Sequence, residues 1–192
     1  MNAPAIRSNV ERTFFGLFSE LPTQAQQELA ALADPTHYEA ARTAPLLGWT
    51  PLSHAVGLRD AVRQHVGDDD RFVALMQEWA VLSIKRPPFK IISEAILRIY
   101  ARRPGPLLRA YARVWTSIYR NVAHYGVEQE TEDSARVVLR DPCPEAQEPA
   151  FRLYNLGVLR AVVEIGGGQR PRGSQQLIDG RIEFDVQWDR RL

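Results

Sequence analysis

The sequence predicts an α+β fold: a helical N-terminal half, residues 1 to 125, and a ββαββ half, residues 126 to 192, forming a four-stranded antiparallel sheet with helices packed on one face. Three observations predict it. Near its end the chain alternates strictly, with Ile182, Phe184, Val186 and Trp188 set between Arg181, Glu183, Asp185 and Gln187, the period of a strand with one buried face. Asp179-Gly180, just before it, tolerates the positive φ values of a two-residue type I′ turn and makes Arg172 to Ile178 the partner strand. Before this hairpin, Phe151, Tyr154, Val158, Leu159, Val162 and Ile165 recur at three and four residues, so a helix runs from Glu148 to Ile165, and Gly166-Gly167-Gly168 supplies a left-handed stop.

The other strand pair sets Val127, Gln129 and Thr131 against Ala135, Val137 and Leu139 across Glu132-Asp133-Ser134. Upstream the chain reads as helix after helix. Arg7 to Leu21 carries Val10, Phe14, Leu17 and Leu21 on one stripe, with Ser8 or Asn9 as N-cap. Thr23 to Ala33 follows, with Leu29 and Leu32 inward, and then a loop punctuated by Pro45, Gly48 and Pro51. Leu52 to Val66 is helical and ends at Gly67; Asp68-Asp69-Asp70 opens the next helix, where negative charge meets the positive end of the macrodipole, and Phe72, Leu75, Met76 and Trp79 form its stripe. Pro87-Pro88 breaks that helix, Ile91, Ile92, Ala95, Ile96, Ile99 and Tyr100 form the most apolar stripe of the chain, and Pro104 to Pro106 interrupts it. The last helix of this half runs from Leu107 to His124 and presents Tyr111, Val114, Trp115, Ile118, Tyr119 and Val122 as the spine of the core.

At 192 residues one domain accounts for the whole chain and buries enough apolar surface to need no staples. Cys143 is the only cysteine, which excludes an intramolecular disulfide and an all-cysteine zinc site; its setting between Pro142 and Pro144 marks an inert turn. Met1 to Phe15 lacks the apolar region of a signal peptide, and no run reaches the ~18 uncharged apolar residues of a membrane span. The expectation is a cytoplasmic protein.

In layout the chain resembles the superfamily that includes vinyl-reductase-type sensor domains, haem nitric-oxide-binding domains and trafficking-complex subunits. The resemblance rests on the helical first half, the ββαββ order, the helix running from Phe151 past Gly157, and the tail Phe184-x-Val186. The chain is also similar to an uncharacterised paralogous family of myxobacterial proteins in Phe14-Phe15, Pro104-Gly105-Pro106, the strand Arg136 to Leu139 and the final Trp188. These resemblances cover nearly the whole chain and imply a cavity between helices and sheet for a small apolar ligand, and a tendency to form a homodimer. Residues 172 to 188 contain no cysteine, a departure from the thiol site that vinyl-reductase-type domains resemble one another in, so a metal there is not expected.

No catalytic motif accompanies this layout, so enzymatic activity is unsupported. A Gly-x-Ser-x-Gly elbow is absent, Asp68 to Asp70 reads as a solvated cap, and Gly166 to Gly168 lacks the Lys-Ser/Thr of a phosphate loop and ends a helix where such a loop opens one. His37, His54, His65 and His124 are scattered, with no pair at the i, i+4 spacing of a helical metal site; His124 reads as a helix C-terminal dipole partner. No metal and no cofactor are expected. A haem could still be carried by one axial histidine, and nothing selects which.

Two surfaces are candidates for binding. The aromatic stripe Tyr100, Tyr111, Trp115, Tyr119 and Tyr154 reads first as core, and second as a pocket whose hydroxyl and indole groups are donors on apolar walls. Between Lys85 and Arg120 stand nine basic residues against the single acid Glu94, in a chain of net charge +1. Arg109, Arg113 and Arg120 lie near one polar stripe there; they either pair with Glu128, Glu130 and Glu132 or face an acidic or phosphate-bearing partner. Nucleic acid is disfavoured, since no DNA-reading motif accompanies the patch. The leading reading is therefore a non-catalytic sensory or regulatory domain that binds a small apolar molecule or a protein partner. The alternatives are an interaction module using the arginine face and, third, a haem protein or enzyme. A homodimer is favoured only if the helices leave the apolar sheet face uncovered.

Overall fold

The computed structural model describes residues 3–85 and 103–190, so the expected helix from Ile91 to Tyr100 and its break at Pro87-Pro88 lie outside the described residues. The first half contains β1 (Ala5–Arg7), α1 (Ser8–Phe18), α2 (Thr23–Leu32), α3 (Pro35–Arg42), β2 (Trp49–Pro51), α4 (Leu52–Val66), α5 (Asp69–Ile84) and α6 (Pro104–Ile118). Then follow β3 (Tyr119–Arg120), β4 (His124–Glu130), β5 (Ser134–Arg140), α7 (Pro144–Gln147), α8 (Pro149–Ile165), β6 (Gln169–Ile178) and β7 (Arg181–Asp189). The fold is α+β as expected, with an antiparallel sheet ordered β4-β5-β7-β6.

The closing hairpin forms as its residues dictate. Asp179 and Gly180 take φ of 49° and 72°, and Ile178 pairs with Arg181 across the two-residue turn. Ala135, Val137 and Leu139 stand opposite Val186, Phe184 and Ile182, and all six are buried beneath the helices. The opposite face is polar: Arg136 bonds Asp185 at 2.7 Å, and Glu183 is held by Arg181 at 2.7 Å and by Gln176 at 3.1 Å. The helices thus cover the apolar face of the sheet.

Gly67 ends α4 in the left-handed conformation at φ 70°, and the Asp68 side chain caps α5 by accepting from the Arg71 N–H at 2.7 Å. After α8 it is Gly167, at φ 87°, that turns left-handed; Gly166 remains right-handed.

Several expectations are corrected. The N-cap of α1 is Arg7 with no side-chain bond, because Ser8 is already inside the helix and its hydroxyl bonds the Thr50 hydroxyl at 3.0 Å in the interior. The stretch expected as a loop contains α3, begun by the Asp34 cap and Pro35, and β2. Leu32 is exposed, not inward, because α2 contributes only Leu29 to the core. The last helix of the first half ends at Ile118, not His124: Tyr119 takes extended geometry and pairs with Ile6, making β3 the third strand of a small antiparallel sheet ordered β2-β1-β3. His124 therefore sits in β4 opposite Arg140 and caps no helix. Cys143 is the N-cap residue of the short α7.

One buried cluster joins both halves, running from Phe14, Phe18, Phe72 and Met76 through Leu108 and Trp115 to Phe151, Phe184 and Trp188. Helices α5 and α8 meet at Gly157, where a Cβ would come within 2.6 Å of Met76 Cβ and 2.8 Å of the Val73 carbonyl oxygen. That close approach brings Tyr154 and Val158 alongside α5.

Candidate functional site

Four helix stripes meant for a core do not close completely. Between α1, α5, α6 and α8 lies a cavity of about 540 Å³, within the range of small-molecule sites. Val10, Phe14 and Leu17 of α1 form one wall, and Met76, Trp79 and Ala80 of α5 another. Helix α6 contributes Leu107, Ala110, Tyr111 and Val114, and α8 contributes Tyr154, Val158, Ala161, Val162 and Ile165, each set at helical spacing. Phe14 meets Trp79 and Tyr154 edge to face, with centroids 5.2 and 6.0 Å apart. Among the described residues the polar lining is sparse: Arg7, Asn9, Thr13, Ser83, Arg113 and Ser117, with the Tyr111 and Tyr154 hydroxyls.

Behind Phe14 and Tyr154 is a buried charge. The Arg59 guanidinium lies 4.4 Å from the Phe14 centroid and 4.2 Å from that of Tyr154, while its Nη1 donates to Glu11 Oε2 at 2.9 Å and to the Ala55 carbonyl at 2.7 Å. Both ionic side chains are buried, at 2% and 0% exposure. Burial alone would push the Arg59 pKa down; the Glu11 carboxylate, together with the Tyr154 and Tyr119 phenols, holds it above its ordinary value. Neither residue stood out in the sequence. The available signal was a glutamate facing the apolar stripe of α1, three residues before Phe14, and an arginine set between Ala55, Val56, Leu58 and Val62 on α4.

The predicted site residues separate. Tyr111 and Tyr154 line the cavity. Trp115 and Tyr119 pack behind it, tilted 38° against each other with centroids 4.2 Å apart and flanked by Phe151, and Trp115 Nε1 donates to the Ala123 carbonyl at 3.1 Å. Tyr100 lies outside the described residues. Desolvation pushes the phenol pKa of Tyr111 and of Tyr119 well above the usual value, and burial does the same to Tyr125, whose hydroxyl donates to the Leu108 carbonyl.

The three arginines also part company. Arg109 pairs with Glu130, Arg113 is exposed beside the cavity, and Arg120 lies beyond the end of α6 with its guanidinium 4.9 Å from the Trp49 centroid. Glu128 and Glu132 are taken by Arg140 and Arg190.

The histidines are less scattered than their spacing suggests. His37 of α3 and His54 of α4 place their Nδ1 atoms 3.0 Å apart, and the His37 ring lies against Gly57, where a Cβ would come within 1.9 Å of it. His65 stands 3.5 Å from Glu28. No cluster of three or more metal-binding side chains occurs among the described residues.

No protein-family model matches the chain, and no curated protein matches it. Solved structures do. The chain is similar to a mutant H-NOX protein from K. algicida in the Fe(II) unliganded state (TM-score 0.62, 12% identity, 96% of this chain and 97% of that one). It is also similar to an H-NOX protein from S. oneidensis in the Fe(II)NO state (TM-score 0.63, 10% identity, 94% and 99%). The described residues thus carry an H-NOX-like fold.

That fold implies a haem, and the donor set can be tested against one. A protein-held haem iron takes an axial histidine, cysteine, methionine or tyrosine. No histidine or cysteine lines the cavity; the four histidines lie in the His37–His54 pair, beside Glu28 and in β4, and Cys143 lies at α7 with its pKa pushed by burial up to about 11. Residues 86–102 contain neither residue type. Of the remaining donors among the described lining residues, Met76 belongs to the packed α5–α8 contact, Tyr111 is held away from the phenolate form, and Tyr154 is packed against Phe14 and the Arg59 guanidinium. The residues present do not fit a haem. Among the described residues no helix is long and apolar enough to cross a membrane.

Proposed function

We propose that this chain is a sensory or regulatory domain that holds a small apolar molecule other than haem in the cavity between α1, α5, α6 and α8. One observation carries the reading: a cavity of about 540 Å³ whose described lining residues are chiefly aliphatic and aromatic, with no histidine or cysteine among them. Ligand and protein would meet chiefly through apolar burial, with specificity left to the few polar groups at the edge. The covered sheet face leaves no apolar reason for a homodimer through that surface. The fold likeness favours the haem alternative; the donor set favours a colourless ligand.

Native mass spectrometry of freshly purified protein, with an ultraviolet–visible spectrum of the same sample, tests the two together. A reproducible added mass without a Soret band supports the proposal. A Soret band that survives desalting overturns its non-haem part, and a bare mass that takes up no neutral apolar dye overturns the cavity as a binding site.

A further inference from the structure

The polar atoms around the cavity are unevenly spent. Thr13 donates its hydroxyl to the Asn9 carbonyl at 2.8 Å and Ser83 to the Trp79 carbonyl at 2.7 Å, so neither hydroxyl donor is left over for a ligand. Beside the Tyr111 and Tyr154 phenols, the Ser117 hydroxyl and the Asn9 amide, the charged groups that remain among the described lining residues are cations. Arg7 donates through Nε to the Ser117 carbonyl at 3.0 Å and lies over the Trp49 ring at 4.2 Å; both contacts fix its guanidinium, and among the described residues its two terminal nitrogens have no hydrogen-bond partner. Ser117 is one helical turn beyond Arg113 on α6, and Arg7, Arg113 and Ser117 all line the cavity. Among the described residues neither arginine has a carboxylate partner, whereas Arg109, one turn earlier, is paired with Glu130. Asn9, two residues after Arg7 and also in the lining, keeps a buried Oδ1 with no hydrogen-bond partner.

Two cations lining one cavity favour an anion there, through charge-assisted bonds. Resting on the ligand-binding reading above, we infer that the cavity takes an amphiphilic monocarboxylate, its apolar chain between Phe14, Met76, Trp79 and Val162 and its carboxylate between Arg7 and Arg113. The carboxylate is the planar two-oxygen group that a guanidinium fork matches. A neutral molecule of the same shape would fill the walls and leave the two arginines as they are.

The experiment uses the whole chain and displacement of the neutral fluorescent dye N-phenyl-1-naphthylamine by decanoate or by decanol. Decanol is the more apolar of the two, so burial alone favours the alcohol. The inference expects decanoate to displace the dye at a concentration about tenfold lower than decanol, one charge-assisted contact being worth about that factor. Arg113→Gln, at an exposed side chain with no partner to orphan, should raise the decanoate concentration about tenfold and leave decanol unchanged; Arg7→Gln should act in the same direction. If the dye binds but decanoate is no better than decanol, or Arg113→Gln weakens both alike, the carboxylate site is overturned and the apolar cavity stands. If the dye does not bind at all, both fall.

Discussion

Arg59 and Glu11 form the costliest arrangement in the molecule and the one whose disruption is most telling. Each is withdrawn from water, and only one oxygen of Glu11 and one terminal nitrogen of Arg59 are hydrogen-bonded; Glu11 Oε1 and Arg59 Nη2 have no partner. A buried pair of this kind gains little over apolar residues of the same size, but losing one partner strands a charge. Glu11→Leu should therefore cost roughly 3–5 kcal/mol in urea unfolding. Adding Arg59→Met to it should restore most of that loss; a double variant as unstable as the single one would mean that the stack of Arg59 between Phe14 and Tyr154, not charge pairing, is what matters. Because those two rings are also cavity walls, Arg59 connects α1 and α4 to whatever the cavity contains.

Among the elements, the α5–α8 contact sets the width of the cavity. It closes only because position 157 lacks a side chain, the nearest opposing atoms being a Cβ and two backbone atoms that cannot swing aside. Gly157→Ala should gain helix propensity and still destabilise by about 1–3 kcal/mol through overpacking, measured by thermal or urea unfolding. It should also alter dye uptake, since Met76, Tyr154 and Val158 flank the contact and line the cavity. At Gly67, by contrast, a Cβ would meet nothing within 4 Å, but φ is 70°. Gly67→Ala should cost about 1 kcal/mol from backbone strain alone and leave dye binding unchanged.

For the whole molecule, the shifted thiol and phenols all point to alkaline lability. Burial raises the Cys143 pKa from 9.0 to about 11 and pushes Tyr111, Tyr119 and Tyr125 above their ordinary values. A group whose pKa is raised on folding contributes fully below its unfolded pKa and loses that contribution as pH rises through the folded one. From neutral pH to about 9 these groups should leave the urea midpoint unchanged, and it should fall from there towards pH 11 and beyond; a midpoint unchanged across that alkaline window would contradict the buried setting of these groups. Below pH 9 Cys143 should also alkylate slowly with iodoacetamide, since the thiolate is the reactive form.

The sequence by itself determined what depends on near neighbours along the chain. The alternation from Ile182 to Trp188, the Asp179-Gly180 turn, the stripe of α8 and the Asp68 cap were legible because strand period, turn geometry and capping are settled within a few residues. The tertiary structure decided what depends on distant segments meeting. Tyr119 reads as one more apolar position of a helix until Ile6 offers it a strand partner, which ends α6 early. The aromatic stripe reads as one surface until packing sends Tyr111 and Tyr154 to the cavity and Trp115 and Tyr119 behind it. Glu11 and Arg59 are 48 positions apart, and Arg7 reaches Ser117 across 110. No local period encodes such a pairing, because it arises from the angle and distance at which whole helices pack, and that same geometry leaves the cavity open among residues that each look like ordinary core.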